Sequence, residues 1–417
     1  MTLASVKKME SRLLLSTYDR YPVLLERGKG VYLFGADGKR YLDFLSGIAV
    51  NALGYAHPAI TRAISRQAGK LIHTSNLFYH PFQAELAQRL TRISGMDRVF
   101  FTNSGTEAFE GALKIARAYA RQQCKGGKRK WRVLAMEGSF HGRTVGSLSA
   151  TWTEKYRKPF GPLLSGVEFI PFNDVAALKK ALDGTFCVVA IETVQGEGGI
   201  RPATREFLRA ARALTKKTGA LLLLDEIQSG LGRTGKYFAY QHYGVRPDLL
   251  TVAKPLAGGL PLGAALVSEE VAKAITPGMH GTTFGGGPLA CAAALAFLEV
   301  LERDKLPSHS QELGGYLRER LLALKKRHGC IRDVRGLGLM VGVELDSAVR
   351  AKVMVKAMLD EGVIINRTND NVLRLLPPLI IKRSHVDAAI QALDRVLTKS
   401  AKTEKQTEPA SRRSRKH

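Results

Sequence analysis

Two side chains that could do chemistry come directly after apolar strands. Asp225 ends the run LLLLD, and Lys254 follows LLTVA. A carboxylate in such a place needs a cation or a hydrogen-bond donor beside it, and a protonated ring nitrogen is one suitable cation. A buried amine loses affinity for its proton and becomes a nucleophile toward carbonyl carbon. A salt bridge between the two side chains, or a solvated lysine, is the structural alternative.

A turn of small residues adds a candidate anion site. The segment TNSGTE follows the strand RVFF and opens a helical pattern. Gly105 lets backbone amides approach a ligand, Thr106 can donate its hydroxyl, and a helix N-terminus favours negative charge. An ordinary helix N-cap explains the segment equally well. Together with Asp225 and Lys254, however, it meets the three requirements of pyridoxal 5′-phosphate: a phosphate cup, an acid for the ring nitrogen and an amine for the aldehyde.

The stretch LLLLDEIQSGLGRTGKY also contains the pattern G-x-x-x-x-G-K. A phosphate-binding loop of that kind lies between a strand and a helix and has Ser or Thr after its lysine. Here Tyr237 follows Lys236, and the acidic strand lies directly before the glycines. The pattern therefore does not predict an ATP site.

Short apolar runs alternate with helical patterns from about residue 55, which predicts an α/β fold. Runs that are apolar on both faces are typical of a mainly parallel sheet covered by helices, whose ligands bind where strands end and helices begin. The candidate strands are 98–101, 132–136, 167–170, 187–192, 220–226, 249–253 and 264–268.

The chain divides into four predicted segments. Residues 55–309 form the large domain, and residues 310–398 form a smaller α+β domain. The segment 1–54 contains the hairpin pattern GVYLFGADGKRYLDF and is expected to pack with the smaller domain. The tail, 399–417, is basic and almost without apolar residues, so we expect it to be disordered.

Composition excludes several other classes of protein. The chain has 417 residues and is 45% hydrophobic, with no apolar run long enough to span a membrane and no secretory signal, so we expect a cytoplasmic enzyme. Its four cysteines are widely spaced and predict no metal site. The net charge of +26 would attract polyanions, but no nucleic-acid-binding motif accompanies it. Nucleic acid is therefore an unlikely partner, and a polyanion-binding protein on a degenerate enzyme scaffold is the alternative from another class.

Seven short motifs occur in order along the chain: NSGTEA, SFHGR, ETVQGEGG, DEIQSGLGRTG, AKPLAGGLPLGA, HGTTFGGGPLA and LRLLPP. In these motifs the chain resembles the class III aminotransferases of fold type I, over about residues 20–397. The resemblance implies a pyridoxal-phosphate enzyme with a mainly parallel seven-stranded sheet in the large domain. Within the class, the chain is most like the acetylornithine aminotransferases.

The resemblance implies a role for each residue at the cofactor. Lys254 would hold the cofactor and move protons, Asp225 would keep the ring nitrogen protonated, and Phe140 would stack on the ring. Gln228 would bind the phenolic oxygen, and Glu226 is expected at the cofactor as well. The phosphate would be bound by Gly105, by Thr106 and by Thr283 of the partner subunit in a homodimer. His141 is next to Phe140 and could act as an acid or base. Since Lys254 would already move the protons of the reaction, we expect His141 only to position its loop.

Substrate recognition is implied in the same way. Arg374 would bind the α-carboxylate of glutamate and 2-oxoglutarate, and Arg143 would bind a carboxylate of the amino donor. Glu197 would pair with Arg374 whenever the reacting end of the substrate is a distal amine. Thr282 is expected near the substrate, where it replaces the usual serine. Gly287 replaces an asparagine of the family pattern and could loosen the turn before a helix.

The implied reaction converts N2-acetyl-L-ornithine and 2-oxoglutarate to N-acetyl-L-glutamate 5-semialdehyde and L-glutamate, in arginine biosynthesis. Ornithine aminotransferases carry a tyrosine in the loop after DFLS, where this chain has Gly47 and Ile48. An apolar residue suits an acylated amine better than a free ammonium group. Ornithine, succinylornithine, succinyl-diaminopimelate and 4-aminobutyrate remain open as alternative donors.

Overall fold

Strands and helices alternate along most of the chain. The computed structural model describes residues 1–124 and 129–407, with side chains through residue 400. The strands are β1 Leu25–Lys29, β2 Tyr32–Gly35, β3 Arg40–Asp43, β4 Arg98–Thr102, β5 Arg132–Met136, β6 Val167–Ile170, β7 Phe186–Glu192, β8 Val194–Gln195, β9 Arg201–Pro202, β10 Leu221–Asp225, β11 Leu249–Val252, β12 Gly263–Val267, β13 Ile331–Leu337, β14 Met340–Leu345, β15 Val363–Ile364, β16 Asn366–Thr368 and β17 Val372–Leu375.

Helices connect most of these strands and cover the sheets. The α-helices are α1 Leu3–Leu13, α2 Ser46–Ala49, α3 Pro58–Ala68, α4 Pro81–Ser94, α5 Gly105–Gln123, α6 Val145–Ser149, α7 Glu154–Arg157, α8 Val175–Ala181, α9 Arg205–Thr218, α10 Glu269–Ala272, α11 Pro288–Arg303, α12 Leu306–Arg327, α13 Ala348–Asp360 and α14 Arg383–Thr407. Short 3-10 helices lie at Lys158–Phe160, Ala239–His242 and Lys254–Ala257.

The large domain is built on a seven-stranded sheet in the order β4-β12-β11-β10-β7-β5-β6. Strands β11, β10, β7, β5 and β6 are parallel, and β12 runs antiparallel to both of its neighbours. All seven strands coincide with the candidate strands of the sequence, so the predicted sheet is confirmed. Every residue of β7, β10, β11 and β12 is buried, because the side chains of each strand alternate between two covered faces.

Helices on the two faces of the sheet hold the strand ends in place. On one face, α5 packs against β4, β11 and β12, and its buried stripe includes Phe109, Ala112 and Ala116. On the other face, α11 packs against α3, α4 and the 3-10 helix that begins at Lys254. The side chain of Ser104 begins α5 by accepting a hydrogen bond from the Glu107 amide at 3.3 Å. The sequence pattern thus fixes both the candidate amine and the candidate anion site on rigid elements.

Two smaller sheets complete the fold. One is antiparallel, in the order β13-β14-β17-β16, and it carries Arg374 on β17. The other has the order β1-β2-β3-β15, so the N-terminal hairpin pairs with a strand from the C-terminal part of the chain. Helix α12 crosses the predicted boundary between residues 309 and 310. The domain boundaries stay a prediction, but the pairing of β3 with β15 joins segments that the sequence separates widely.

A buried arginine joins the large domain to the antiparallel sheet. Arg233, in the loop after β10, donates hydrogen bonds to the carbonyl oxygens of Leu339 and Pro377. In return, the Leu339 amide donates to the Arg233 carbonyl at 2.9 Å. Gly338 has a positive φ of 52° and packs so closely on this loop that a side chain would collide with it. The two loops therefore lock together at the edge of the candidate site.

The tail prediction needs one correction. We expected disorder from residue 399, but α14 continues to Thr407. The segment KSAKTEKQT contains good helix formers and no Gly or Pro, so the helix propagates past the end of the packed domain. Residues 408–417 lie outside the described residues. Among the helices of residues 1–124 and 129–407, none is both long and apolar enough to cross a membrane.

The position of Gly287 generates a stability prediction. Gly287 is the N-cap of α11, with φ −62°, and no side chain caps the helix there. We expect the unfolding free energy of Gly287→Asn to exceed that of Gly287→Ala by ~0.5–2 kcal/mol, because asparagine supplies a capping oxygen. The asparagine variant should therefore melt at the higher temperature. Both variants meet the Phe284 carbonyl oxygen at 3.2 Å, so this contact cancels in the comparison. Equal melting temperatures would contradict the capping argument.

Candidate active site

A cavity of about 430 Å³ lies at the carboxyl ends of β7, β10 and β11. Glu192 ends β7, Asp225 ends β10, and Lys254 comes shortly after the end of β11. Parallel strands present such residues at one edge of the sheet, which is why groups far apart in sequence meet here. The predicted site residues that line this cavity are Gly105, Thr106, Phe140, Arg143, Glu197, Asp225, Gln228 and Lys254.

Lys254 is a buried amine. It begins a 3-10 helix with φ +22°, a backbone conformation that a residue with a side chain rarely adopts. Burial, together with the charge of Arg374, lowers its pKa to about 8, although the charges of Glu197, Asp225 and Glu192 oppose this shift. A large fraction of the amine is therefore neutral, and so nucleophilic, near pH 8.

Asp225 is held by a buried histidine. The Nδ1 atom of His141 lies 2.7 Å from Asp225 Oδ2, and both side chains are almost completely buried. Because an ionised carboxylate only accepts hydrogen bonds, Nδ1 carries the proton in this contact. The His141 ring stacks on Phe109 with centroids 4.3 Å apart. The second oxygen, Oδ1, accepts the Ile227 amide at 3.1 Å. The positioning role expected for His141 thus has a specific partner, which the sequence did not indicate.

Glu192 is a site residue that the sequence analysis missed. Its Oε2 accepts the Phe140 amide at 2.9 Å, and its Oε1 accepts the Gly196 amide at 3.1 Å. Burial raises the pKa of Glu192 to about 7, against the opposing charge of His141. Glu192 ends the apolar run CVVAI in the same way that Asp225 ends LLLL, so the pattern that identified Asp225 would also have identified it. Its carboxylate ties two loops to one strand end.

The candidate anion site is a cluster of hydroxyl groups and amides at the start of α5. Thr106 Oγ1 accepts the amides of Arg143 and Thr144 at 3.1 and 3.2 Å, and it lies 2.6 Å from Ser147 Oγ. Gly142 has φ +135°, and a side chain there would collide with the Thr106 hydroxyl. The N-terminus of α5 therefore faces the cavity with the Arg143 loop fastened to it, an arrangement that suits a phosphate group.

Arg374 and Glu197 form an ion pair at the side of the cavity. Arg374 is 2% exposed and donates through Nη1 to Glu197 Oε1, with Gln228 Oε1 further away at 3.4 Å. Burial raises the pKa of Glu197, but the charge of Arg374 outweighs this and leaves the pKa below its ordinary value. Asn366 and Thr368 hold the two partners from β16. Glu197 therefore neutralises a guanidinium group that could otherwise bind a carboxylate.

Arg143 lies at the rim of the cavity and is exposed. Its guanidinium carbon is 3.6 Å from the centre of the Tyr156 ring and 5.6 Å from that of Phe140. The sequence offered no signal for Tyr156, because a single aromatic residue in the loop segment TEKYRKPF has no distinguishing pattern.

Four predicted residues do not line the cavity: Arg374, Glu226, Thr282 and Thr283. Glu226 is buried behind the cavity wall and accepts hydrogen bonds from Thr193, Ser229 and the amides of Ala239 and Tyr240. Its carboxylate thereby fastens the loop that follows β10, and the cofactor contact expected of Glu226 stays a prediction.

Thr282 and Thr283 line a second, shallower depression of about 370 Å³ together with Phe284. Thr282 Oγ1 accepts hydrogen bonds from the Asn103 side chain at 3.1 Å and the Gly285 amide at 3.3 Å. The roles given to both threonines stay predictions, since neither contacts the cavity of its own chain.

The donor set of the cavity fits pyridoxal 5′-phosphate. The buried amine of Lys254 suits the aldehyde of the cofactor, and the buried carboxylate of Asp225 suits its ring nitrogen. The start of α5, with Gly105, suits its phosphate. Phe140 supplies an aromatic face and Gln228 an amide on the same lining. The lining of this one cavity therefore contains each kind of group that the cofactor needs.

Comparisons with known proteins agree with this assignment. The family model described as aminotransferase class-III matches residues 15–397. The chain is 47% identical over 389 residues to the acetylornithine aminotransferase of Caldanaerobacter subterraneus subsp. tengcongensis, covering 93% of this chain and 98% of that protein. It is 48% identical over 394 residues to the acetylornithine aminotransferase of Methanocaldococcus jannaschii, covering 94% and 98%.

Solved structures of similar proteins confirm the predicted fold class. The ornithine aminotransferase of Toxoplasma gondii superposes with a TM-score of 0.93 at 33% identity, over 97% of this chain and 96% of that one. The acetylornithine aminotransferase of Elizabethkingia anophelis gives 0.85 at 32% identity, over 96% and 100%. An amine transaminase from an uncultivated Pseudomonas species, solved with pyridoxal phosphate bound, gives 0.87 at 29% identity, over 93% and 98%.

The contact between His141 and Asp225 predicts an energetic coupling. We expect His141→Phe to lower the unfolding free energy by ~1–3 kcal/mol, because a buried carboxylate loses a hydrogen-bond donor. Adding Asp225→Leu removes the unsatisfied group, so the double variant should melt above His141→Phe alone. Melting temperatures of the cofactor-free proteins measure this. A double variant that melts below both single variants would show that the two side chains stabilise the fold independently.

The lowered pKa of Lys254 predicts its reactivity with pH. Acetic anhydride acetylates only the neutral amine, so labelling of Lys254 in the cofactor-free protein should rise with pH and be half-maximal near 8. In denatured protein the same lysine should respond near its ordinary pKa of 10.5. Mass spectrometry of the peptide containing Lys254 measures both curves. Identical curves for folded and denatured protein would contradict the effect of burial.

Proposed function

Because this chain belongs to the class III aminotransferases, which depend on pyridoxal 5′-phosphate, we propose that it transfers the amino group of N2-acetyl-L-ornithine to 2-oxoglutarate. The products are N-acetyl-L-glutamate 5-semialdehyde and L-glutamate, and the reaction serves arginine biosynthesis. The observation that carries this proposal is the ion pair between Glu197 and the buried Arg374, beside Lys254. The names of the acetylornithine aminotransferases to which the chain is similar support it.

The cavity residues divide the work at the cofactor. When bound, the cofactor accepts electrons from the carbon that carries the amino group. Lys254 holds the cofactor and moves the proton at that carbon, since its amine is buried and partly neutral. Asp225, oriented by His141, keeps the ring nitrogen protonated. Phe140 stacks on the ring and Gln228 binds the phenolic oxygen. The amides and hydroxyl groups at Gly105 and Thr106 bind the phosphate.

The ion pair explains how one cavity accepts two unlike substrates. The reacting end of acetylornithine is a primary amine with no carboxylate on the same carbon. Glu197 leaves no unpaired cation beside that end, because it neutralises Arg374. Glutamate brings an α-carboxylate to the same place, and Glu197 then has to release Arg374 to bind it in bidentate fashion. The pair therefore acts as a switch between the two half-reactions.

The other end of acetylornithine carries a carboxylate, and Arg143 is the group we assign to it. Arg143 lies on the cavity rim. It differs from Arg374, whose charge is neutralised by Glu197. Within the described part of the chain, no Asp or Glu forms an ion pair with Arg143. Its guanidinium donors are thus available for a planar carboxylate.

We also propose a homodimer in which each copy completes the other's site. The partner subunit's Thr283 then joins the phosphate site, and Thr282 approaches the substrate. Leu77, Phe78, Tyr79 and Phe284 are large apolar side chains that are mostly exposed in the single chain. Large exposed apolar side chains of this kind are typical of a protein–protein interface. The cytoplasmic location expected from the sequence stays a prediction.

The loop after β3 supports an acylated donor over ornithine. Four consecutive residues, Ser46–Ala49, have positive φ, so the short element α2 is a tight left-handed turn and not a right-handed helix. Ile48 is on the surface of the turn and does not line the cavity of its own chain, whereas Val50 does. An apolar wall gives a free α-ammonium group no partner. Ornithine, the substrate in the name of the Toxoplasma gondii enzyme, stays the main alternative.

Half-reactions with single donors test the proposed substrate. Purified protein loaded with cofactor is mixed with N-acetylornithine, ornithine, succinylornithine or 4-aminobutyrate, without 2-oxoglutarate, and its visible absorbance is followed. We expect the fastest conversion to the amino form of the cofactor with N-acetylornithine, by at least about tenfold over ornithine, because the apolar wall disfavours a free ammonium group. Lys254→Ala, which cannot hold the cofactor, is the control. Faster conversion by another donor would reassign the substrate and keep the reaction.

A further inference from the structure

The side chain of Arg143 rests on an aromatic platform outside the residues assigned so far. Its guanidinium carbon is 3.6 Å from the centroid of Tyr156, within the range of a cation–π contact. The Tyr156 and Phe140 rings are nearly perpendicular, at 86°, with centroids 6.3 Å apart. Arg143 therefore meets the face of Tyr156 while the edge of its guanidinium group stays accessible.

The platform itself is tied to the large domain. The Tyr156 amide donates to the Thr153 carbonyl at 3.0 Å, which forms the turn into α7. Arg157 donates to the Trp152 carbonyl at 3.2 Å, and its guanidinium group lies over Phe169 on β6 at 4.9 Å. These contacts fix the segment around Tyr156 against the edge strand of the seven-stranded sheet. The Tyr156 ring is thus a fixed surface carried by the short helix α7.

An exposed arginine needs such a surface to bind in one orientation. The Arg143 backbone is fixed by its hydrogen bond to Thr106, but the long side chain beyond it has several rotatable bonds. Ordering those bonds costs affinity when a ligand binds. Stacking uses only the face of the guanidinium group, so the N–H donors at its edge remain free for a carboxylate. Tyr156 therefore lowers the entropic cost of forming the bidentate contact.

We propose that Tyr156 is a positioning residue that determines the preference for donors with a carboxylate remote from the reacting amine. It acts through Arg143, by holding the guanidinium group in the plane that the carboxylate meets. This inference rests on the proposed function, because it takes Arg143 as the carboxylate-binding group. It predicts that the loss of the ring weakens only the recognition of that carboxylate.

Two variants of Tyr156 and two kinds of donor provide the test. Tyr156→Leu removes the aromatic face, and Tyr156→Phe retains it without the hydroxyl group. Each cofactor-loaded protein is assayed in the half-reaction with N-acetylornithine and with n-pentylamine, a primary amine that has no carboxylate. The readout is the ratio of kcat/KM for the two donors. Cofactor absorbance and melting temperature confirm that each variant is folded and loaded.

We expect Tyr156→Leu to lower this ratio about three- to thirty-fold, mainly through a higher KM for N-acetylornithine, and Tyr156→Phe to restore most of it. In an Arg143→Gln background, Tyr156→Leu should produce no further decrease, since both changes remove the same contact. An unchanged ratio in Tyr156→Leu, equal losses for both donors, or a Phe variant as poor as the Leu variant would each overturn the proposal.

The design separates this inference from the proposed substrate. If wild-type protein converts another ω-amino acid faster than N-acetylornithine, the substrate assignment fails. The ratio is then measured with that amino acid against n-pentylamine, because the role of Tyr156 concerns the carboxylate and not the acyl group. A ratio that falls in Tyr156→Leu supports the inference in either case, and a constant ratio overturns it in either case.

Discussion

Buried charge at the carboxyl end of one sheet is the constraint on which the rest of the site depends. Lys254 and Arg374 face Asp225, Glu192 and Glu197 within the same cavity region. An ionised group removed from water is costly unless it is paired or hydrogen-bonded. The fold meets this requirement with a different partner for each acid: His141 for Asp225, backbone amides for Glu192, and Arg374 for Glu197. Satisfying the charges also fixes the loops that carry the partners.

The constraint reaches beyond the large domain, because one of the two cations comes from the antiparallel sheet. Arg374 lies on β17, and it can neutralise Glu197 only while that sheet is docked. Arg233 reinforces the docking by donating to carbonyl oxygens at Leu339 and Pro377, on the loops of the same sheet. The loop that follows Asp225 is thereby joined to the sheet that carries Arg374. Lys254, Asp225 and Arg374 thus share one rigid framework.

Much of this arrangement could be predicted from the sequence, for a physical reason. A strand that is apolar on both faces belongs in a covered parallel sheet, and a charged residue at its end has few roles other than chemistry. This reasoning located all seven strands of the large sheet, Asp225 and Lys254. It also applies to Glu192, which ends β7 in the same way but was not identified. The turn of small residues at the start of α5 indicated Gly105 and Thr106, and the remaining cofactor contacts were implied by resemblance to a family.

The sequence leaves open those features that side-chain direction or tertiary packing determines. Asp225 and Glu226 are adjacent, but only Asp225 faces the cavity, and Glu226 turns to four donors behind the wall. The helix after residue 399 continues because its sequence favours helix, although a basic and polar composition suggested disorder. The sequence did not indicate Tyr156, because its contact with Arg143 corresponds to no recognisable spacing in the sequence. Local patterns thus identify chemistry at strand ends more readily than contacts between loops.

We propose that one buried amine, Lys254, holds the cofactor at the edge of the large sheet. The most direct measurement is to reduce the cofactor-loaded protein with sodium borohydride, digest it, and map the modified peptide by mass spectrometry. We expect the mass of the reduced cofactor on the peptide that contains Lys254, with no other lysine modified to a comparable extent. Attachment at a different lysine, or no attachment in a protein that retains its visible absorbance, would contradict the assignment of this cavity as the active site.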